Sequence, residues 1–461
     1  MAVATAAGAV VVAIVDAVVA NLHRRARGSL FRRMALTAER PVATTAPSAL
    51  RRTDLPNGLT VLSEEVPGAR SVAFGAWVRA ATLHENASEM GVSHLLEHMV
   101  FKGTRTRTAQ AIALSLETLG GSLDAYTERE HTSYQARVLD EHLADAADVI
   151  GDLIFDPLLR DSDLKLERKV VLEEISMVDD TPDDVIFDVH NRLLWGDHAH
   201  GFPILGTRET VKSLNVSHLC ALHERAYHPA RLVVAASGRV DHEQLLETLS
   251  DSGWLARVRG DMTPFEVAPA VAATPDTHHV HRADIAQTHV VLGGVSIAHS
   301  DPRRYAFALL GMLLGGGMSS RLFQRVREEL GLAYSVHTFS SSYADTGVHG
   351  VYLASAPSSA QQAVDAVRDV LARVVADGLP EVEIAAGKRQ LRGQLVLSME
   401  GVSSRMYRAA TTALYGEPHR TIDELLALVD AVDFDSVVQI AREFFDSSRH
   451  LLVSLGPKGV R

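Results

Sequence analysis

The sequence predicts an α+β protein made of two homologous domains, each a mainly antiparallel sheet with helices packed on one face. Three observations lead there. Strand-like alternation and helical periodicity are interleaved along the chain. The second half repeats the order of the first at a spacing of roughly 220 residues, far too long for a solenoid. And 461 residues exceed what one hydrophobic core supports, which is roughly 250 to 300.

The elements follow in order. The structured part begins near residue 50 with "LPNGLTVLSEEV", where Asn57-Gly58 marks a hairpin turn, and continues with the alternating run "SVAFGAWVRA". A helix over "GVSHLLEHMV" follows, then the helix "AQAIALSLETLG", ended by Gly120-Gly121. Two strands lie around "SLDAYTEREHTSYQARVL", helices at "LADAADVIGDLI" and "LKLERKVVLEEISMV", and a closing buried strand at "ARLVVAASGRV". The segment "TPFEVAPAVAATPD" has neither period and reads as a linker. Beyond it, "THVVLGGVSI" parallels "SVAFGAWVRA", and a helix starts near Pro302, followed by the turn "LGGGMSSRLF". "LAYSVHTFSSSYADTGVHGVYLASA" then gives strands, and "SAQQAVDAVRDVLARVV" a helix where "LADAADVIGDLIF" stood. The expected organisation is an N-terminal extension over 1–48, a first domain over 49–262, a linker over 263–277 and a homologous second domain over 278–461.

Composition narrows the class. Hydrophobic content of 46% with 22% charged residues is that of a globular protein. A net charge of -12, with acids spread along the chain, argues against a nucleic-acid partner, because phosphate binding needs a basic patch. The single cysteine, Cys220, cannot form an internal disulfide, reads as a small buried apolar residue, and leaves no thiolate zinc site. Residues 1–33 are Ala/Val-rich, interrupted by Asp16, with arginines after the apolar part. Three readings of them stand open: a membrane anchor over 1–22, a presequence-like or disordered extension, or residues upstream of a true start at Met34. The remainder is expected to be soluble and cytoplasmic.

The chemistry centres on "GVSHLLEHMVFKGT". On a helix His94 and His98 share a face, and Glu97 borders it. A zinc hydrolase needs three protein ligands, an open fourth position and a carboxylate near the attacking water. The order H-x-x-E-H is the inverted zinc motif. In "LERKVVLEEISMV" Glu167, Val171 and Glu174 lie on one helix face while Glu173 points away, so Glu174 is the candidate third ligand and Glu167 a group that could hydrogen-bond a ligand.

Together with "LDAYTEREHTSYQARVL", "LERKVVLEEISMVDDTPDDVIFD", "ILGT" and "MSSRLFQRVREELGLAYSV", these pieces resemble the pitrilysin/insulinase family of zinc peptidases. The nearest branch is the bacterial processing-protease group similar to the β subunit of mitochondrial processing peptidase. The resemblance runs from residue 50 to the end, and Glu174 stands 76 residues after His98, as in the family. It implies a clamshell-type metallopeptidase in which His94, His98 and Glu174 hold one zinc ion per chain, Glu97 is the general base and Glu167 the supporting acid. It further implies that Arg327 and Tyr334, seven positions apart in "RVREELGLAY", stabilise an oxyanion. Without it, Arg327 reads as an exposed helix residue and Tyr334 as strand core.

The resemblance also implies a peptide substrate paired with the strand Asp124, Ala125, Tyr126 and Thr127. The family usually has Asn where Asp124 stands, and a carboxylate cannot donate the bonds an amide can. "WGDHAHGFPILGT" departs as well; Asp197, His198 and His200 read there as a polar loop. The short "LGGGMSSRLF" turn differs from the long glycine-rich loop of the noncatalytic α subunit, which implies a catalytic chain. A homodimer is expected in which Arg327 and Tyr334 act across the interface. The expectation is therefore a zinc metalloendopeptidase for peptides or unfolded segments inside a closed chamber, with a noncatalytic scaffold subunit as the alternative.

Overall fold

The computed structural model describes residues 50–461; the expectations for the N-terminal extension lie outside them. The first sheet holds β1 (Leu50–Asp54), β2 (Thr60–Glu65), β3 (Ser71–Val78), β4 (Ser122–Thr127), β5 (Thr132–Leu139) and β6 (Leu232–Gly238). The second holds β7 (Thr277–His281), β8 (Thr288–Ser296), β9 (Ala333–Ser342), β10 (Gly347–Ser355) and β11 (Leu451–Gly456). Their orders are β1-β2-β6-β3-β5-β4 and β7-β11-β8-β10-β9. In both sheets one pair is parallel, β2 with β6 and β7 with β11, and the others are antiparallel. Removing β1 leaves the same five-strand topology twice, so the repeat legible in the sequence is a repeat of fold.

Each sheet buries one face against its own helices. Phe74, Tyr134 and Val234 pack with Leu95, Leu96, Ile150 and Leu153 in the first half; Leu292 and Val351 pack with Leu309, Leu310 and Leu371 in the second. The other face of each sheet is covered by a helix from the opposite half. Helix Val402–Leu414 lays Val402, Met406, Ala409 and Ala410 on Leu62, Ala73, Trp77 and Val233. Helix Pro182–Trp195 lays Ile186, Leu194 and Trp195 on Val291, Tyr352 and Val453. This reciprocal exchange was not expected from the sequence, and it makes near-continuous apolar strands such as β3 and β8 sensible, because both faces are buried.

The linker segment carries no helix or strand between Asp251 and Thr277. Among the described residues no helix is long and apolar enough to cross a membrane. Two expectations are corrected. Cys220 is only half-buried, at the margin of the first core. Tyr334 is not strand core: the second residue of an edge strand, it is 75% exposed.

Candidate metal centre

The motif helix is Val92–Val100. Its buried Val92, Leu95, Leu96, Met99 and Val100 fix which way it faces, which leaves the His94, Glu97 and His98 face free for chemistry. Its start is fixed by Gly91, at φ 88°, in the left-handed region; a Cβ there would lie 2.5 Å from the Leu205 carbonyl oxygen. The backbone N–H groups of Gly91 and Ser93 donate to the two oxygens of Glu85, each at 2.8 Å. Burial pushes the Glu85 carboxyl up to about 7 although those two bonds pull it down. Glu85 was missed in the sequence because it lies six residues before the N-cap Gly91, with no capping spacing to reveal it.

The second supporting helix is Asp161–Asp179, and its inward face is Leu164, Glu167, Val171 and Ile175. Glu174 lies beside that face and meets both histidines, Oε2 being 3.7 Å from His94 Nε2 and 3.6 Å from His98 Nε2. One ligand atom from each of the three residues falls within 4.8 Å of the others, and among the described residues no other group of histidines and acids gathers so. A tetrahedral site with bonds near 2.0–2.2 Å spaces its ligand atoms by roughly 3.3–3.5 Å. The donor set, two imidazoles and one carboxylate on rigid helices, therefore fits zinc. Asp197, His198 and His200 form no such group; His200 is buried, with its ring stacked on that of Tyr343.

Glu167 orients the site. Its Oε1 lies 3.1 Å from His98 Nδ1, and Lys102 Nζ is 2.8 Å from its Oε2. With Nδ1–H donating to Glu167, the lone pair of His98 is on Nε2, the atom that faces Glu174. Burial, the largest influence on Glu167, raises its pKa, but the His98 and Lys102 contacts outweigh it and the net shift is downward, which keeps the carboxylate charged. Lys102 is the fourth residue after His98, just past the helix end; nothing in its local sequence distinguishes it from a surface lysine. Burial pulls His94 down to about 3, so its imidazole is neutral and able to donate a lone pair. His94 Nδ1 is buried with no protein partner.

Glu97 is linked to β4, because Thr127 Oγ1 donates to its Oε2 at 2.7 Å. Burial raises the Glu97 pKa and the Thr127 bond opposes that rise. A carboxylate with a raised pKa is a better proton acceptor. The segment Asp124, Ala125, Tyr126 and Thr127 runs along β4, which has β5 on one side and, among the described residues, no strand on the other. Its free edge is available for a further strand.

Arg327 and Tyr334 form a separate pair in the second half. Arg327, in the π-helical segment Phe323–Glu329, places its guanidinium carbon 4.5 Å from the Tyr334 ring centroid and donates to the Tyr334 carbonyl oxygen at 3.1 Å. Among the described residues no hydrogen bond or ion pair joins this pair to His94, Glu97, His98 or Glu174.

Residues 60–208 match the family model described as Insulinase (Peptidase family M16), and residues 213–391 that of the Peptidase M16 inactive domain. An uncharacterized zinc protease of Mycobacterium tuberculosis is 40% identical over 91% of this chain and 95% of its own. The uncharacterized zinc protease YmxG of Bacillus subtilis is 36% identical over 89% of this chain and 99% of its own. Among solved structures, a protease from Helicobacter pylori superposes with a TM-score of 0.83 at 19% identity, covering 89% of this chain and 100% of that one. A peptidase M16 inactive domain from Pseudomonas fluorescens gives 0.82 at 18%, covering 90% and 99%.

Proposed function

The chain belongs to the insulinase family of peptidases, and from that premise we propose that it is a zinc-dependent endopeptidase acting on peptides or unfolded segments. The observation that carries the reading is the convergence of His94, His98 and Glu174 beside a buried Glu97. One zinc ion per chain, when bound, would polarise the scissile carbonyl and the attacking water. Glu97 takes the water's proton and passes it to the leaving amine. Thr127 holds Glu97 by one oxygen and leaves the other for that transfer. Glu167, itself fixed by Lys102, holds His98 in the ligating tautomer.

The substrate adds a strand to the free edge of β4, so that its backbone is bound without regard to sequence and its alternate side chains meet the two faces. Asp124, exposed on that strand, cannot donate to a peptide carbonyl. Arg327 and Tyr334, presented on the surface of the second half, complete the site of a partner chain in a homodimer by stabilising the oxyanion. A scaffold role would leave the Glu97–Thr127 contact without a purpose.

The test is hydrolysis of a quenched extended peptide before and after chelation. Activity should vanish with the metal and return with added zinc. Mixing Glu97→Gln chains with Tyr334→Phe chains should restore part of the activity lost by each. Hydrolysis that survives chelation would refute the zinc reading, and no recovery at any mixing ratio would refute completion across the dimer.

A further inference from the structure

The strand that would receive the peptide is an edge strand, hydrogen-bonded on one side only, and such strands fray unless side-chain packing holds them. Its inner face is held by Thr127 on Glu97. Its outer face is held by the exchanged helix Val402–Leu414 of the second half. The Tyr407 hydroxyl donates to Gln135 Oε1 on β5, the residue paired with Asp124. The Tyr407 ring lies 6.2 Å from that of Tyr126 and 5.9 Å, edge-on, from that of Trp77. Trp77 Nε1 donates to the Tyr126 hydroxyl at 3.3 Å. Tyr407 is thus in contact with β4, the strand that ends at Thr127, and with the neighbouring β5.

The helix is itself fixed to the first sheet. Arg405 pairs with buried Glu64, and Arg79 donates to the carbonyls of Ala413 and Leu414 at the helix end. One residue beyond the helix, the Tyr415 hydroxyl donates at 2.7 Å to Glu130 in the turn between β4 and β5, and the Ala344 N–H of the second half donates to the same carboxylate at 2.9 Å. The hairpin is therefore gripped at its middle and at its turn by residues of the other half.

We propose that Tyr407 is a positioning residue for peptide binding: through Tyr126 and Gln135 it holds β4 at the height above Glu97 that an added strand requires. This inference rests on the peptidase reading above. The other half offers an internal comparison. Phe187, the sixth residue of its exchanged helix as Tyr407 is of the first, packs on Phe339 of edge strand β9 and on Tyr352, without a hydroxyl. At this sixth helix position the hydroxyl belongs to the half that carries the metal ligands.

The experiment measures kcat, KM and zinc content for wild type, Tyr407→Phe and Tyr407→Ala on an extended peptide, with amide hydrogen exchange over 122–139. Tyr407→Ala should raise KM about tenfold with kcat within about twofold and zinc unchanged, and residues 122–127 should exchange faster. Tyr407→Phe, which keeps the ring, should raise KM about threefold and carries the test if the alanine variant does not fold. Unchanged KM and unchanged exchange, or a loss of kcat and zinc at constant KM, would overturn the proposal. If the wild type cleaves no peptide, the peptidase reading fails by itself, and the exchange data still decide whether Tyr407 holds the strand.

Discussion

The two halves share a topology, yet among the described residues only the first gathers a group of metal-binding side chains, and the difference lies at one helix crossing. In the first half the seventh residue of helix Asp161–Asp179 is Glu167, which reaches His98 and Lys102. In the second half the seventh residue of helix Glu381–Ser398 is Gly387, and a Cβ there would lie within 3 Å of Leu309 and Leu313, again a pair four residues apart. The inward faces otherwise correspond: Leu164, Val171 and Ile175 against Ile384, Leu391 and Leu395. Gln394 stands where Glu174 stands. The same crossing is thus polar and metal-shaped in one half, apolar and closely packed in the other. A buried polar crossing is costly unless each group is partnered, and the second half avoids that cost while supplying the helix Val402–Leu414 to the first sheet and, in the proposed function, Arg327 and Tyr334.

The largest effect that would break this comparison comes from giving the first half the residue of the second. His98→Leu should abolish zinc binding and lower peptide hydrolysis by roughly a thousandfold or more, with the fold retained by circular dichroism. A smaller change is expected from Glu167→Gln, which removes the charge that orients His98 and should weaken zinc binding by about 10–100-fold in a competition titration with a chelator.

A third prediction concerns pH. His190 of the exchanged helix, His349 of β10 and His450 are all buried, and burial pulls them down, to about 4 for His190 and about 3 for His349. His349 and His450 both lie 2.6 Å, through Nε2, from the Phe444 carbonyl oxygen. A folded-state pKa below the unfolded value of about 6.5 gives stability that is complete above that value and lost as pH falls toward about 4. The melting temperature should therefore drop between pH 7 and pH 5, by roughly 5 °C or more, and His349→Gln should reduce the drop. The smallest effect is expected from Gly387→Ala. The added methyl meets only the ends of two leucine side chains, which should cost about 1–2 kcal/mol in denaturant unfolding and leave zinc content unchanged.

The sequence carried much of this and missed the rest for identifiable reasons. The motif helix, the Glu174 face and the repeat are written in local periodicity, so they were legible. Lys102, Glu85 and the bond from Thr127 to Glu97 join residues 6 to 65 positions apart across different elements, and no local pattern encodes them. The helix exchange was hidden for a related reason. Val402, Met406, Ala409 and Ala413 show that one face of their helix is buried, but an apolar face does not say which sheet it covers. Tyr334 illustrates the converse: strand alternation suggests burial, whereas its place at the start of edge strand β9 leaves it exposed.

In the proposed mechanism the first half alone holds the metal and its base. Zinc content and peptide hydrolysis, measured on the same preparations of wild type, Glu97→Gln and Glu174→Gln, test it most directly. One zinc per chain is expected in wild type and in Glu97→Gln, hydrolysis only in wild type, and weakened zinc binding in Glu174→Gln. Full hydrolysis by Glu97→Gln, or undiminished zinc in Glu174→Gln, would contradict it.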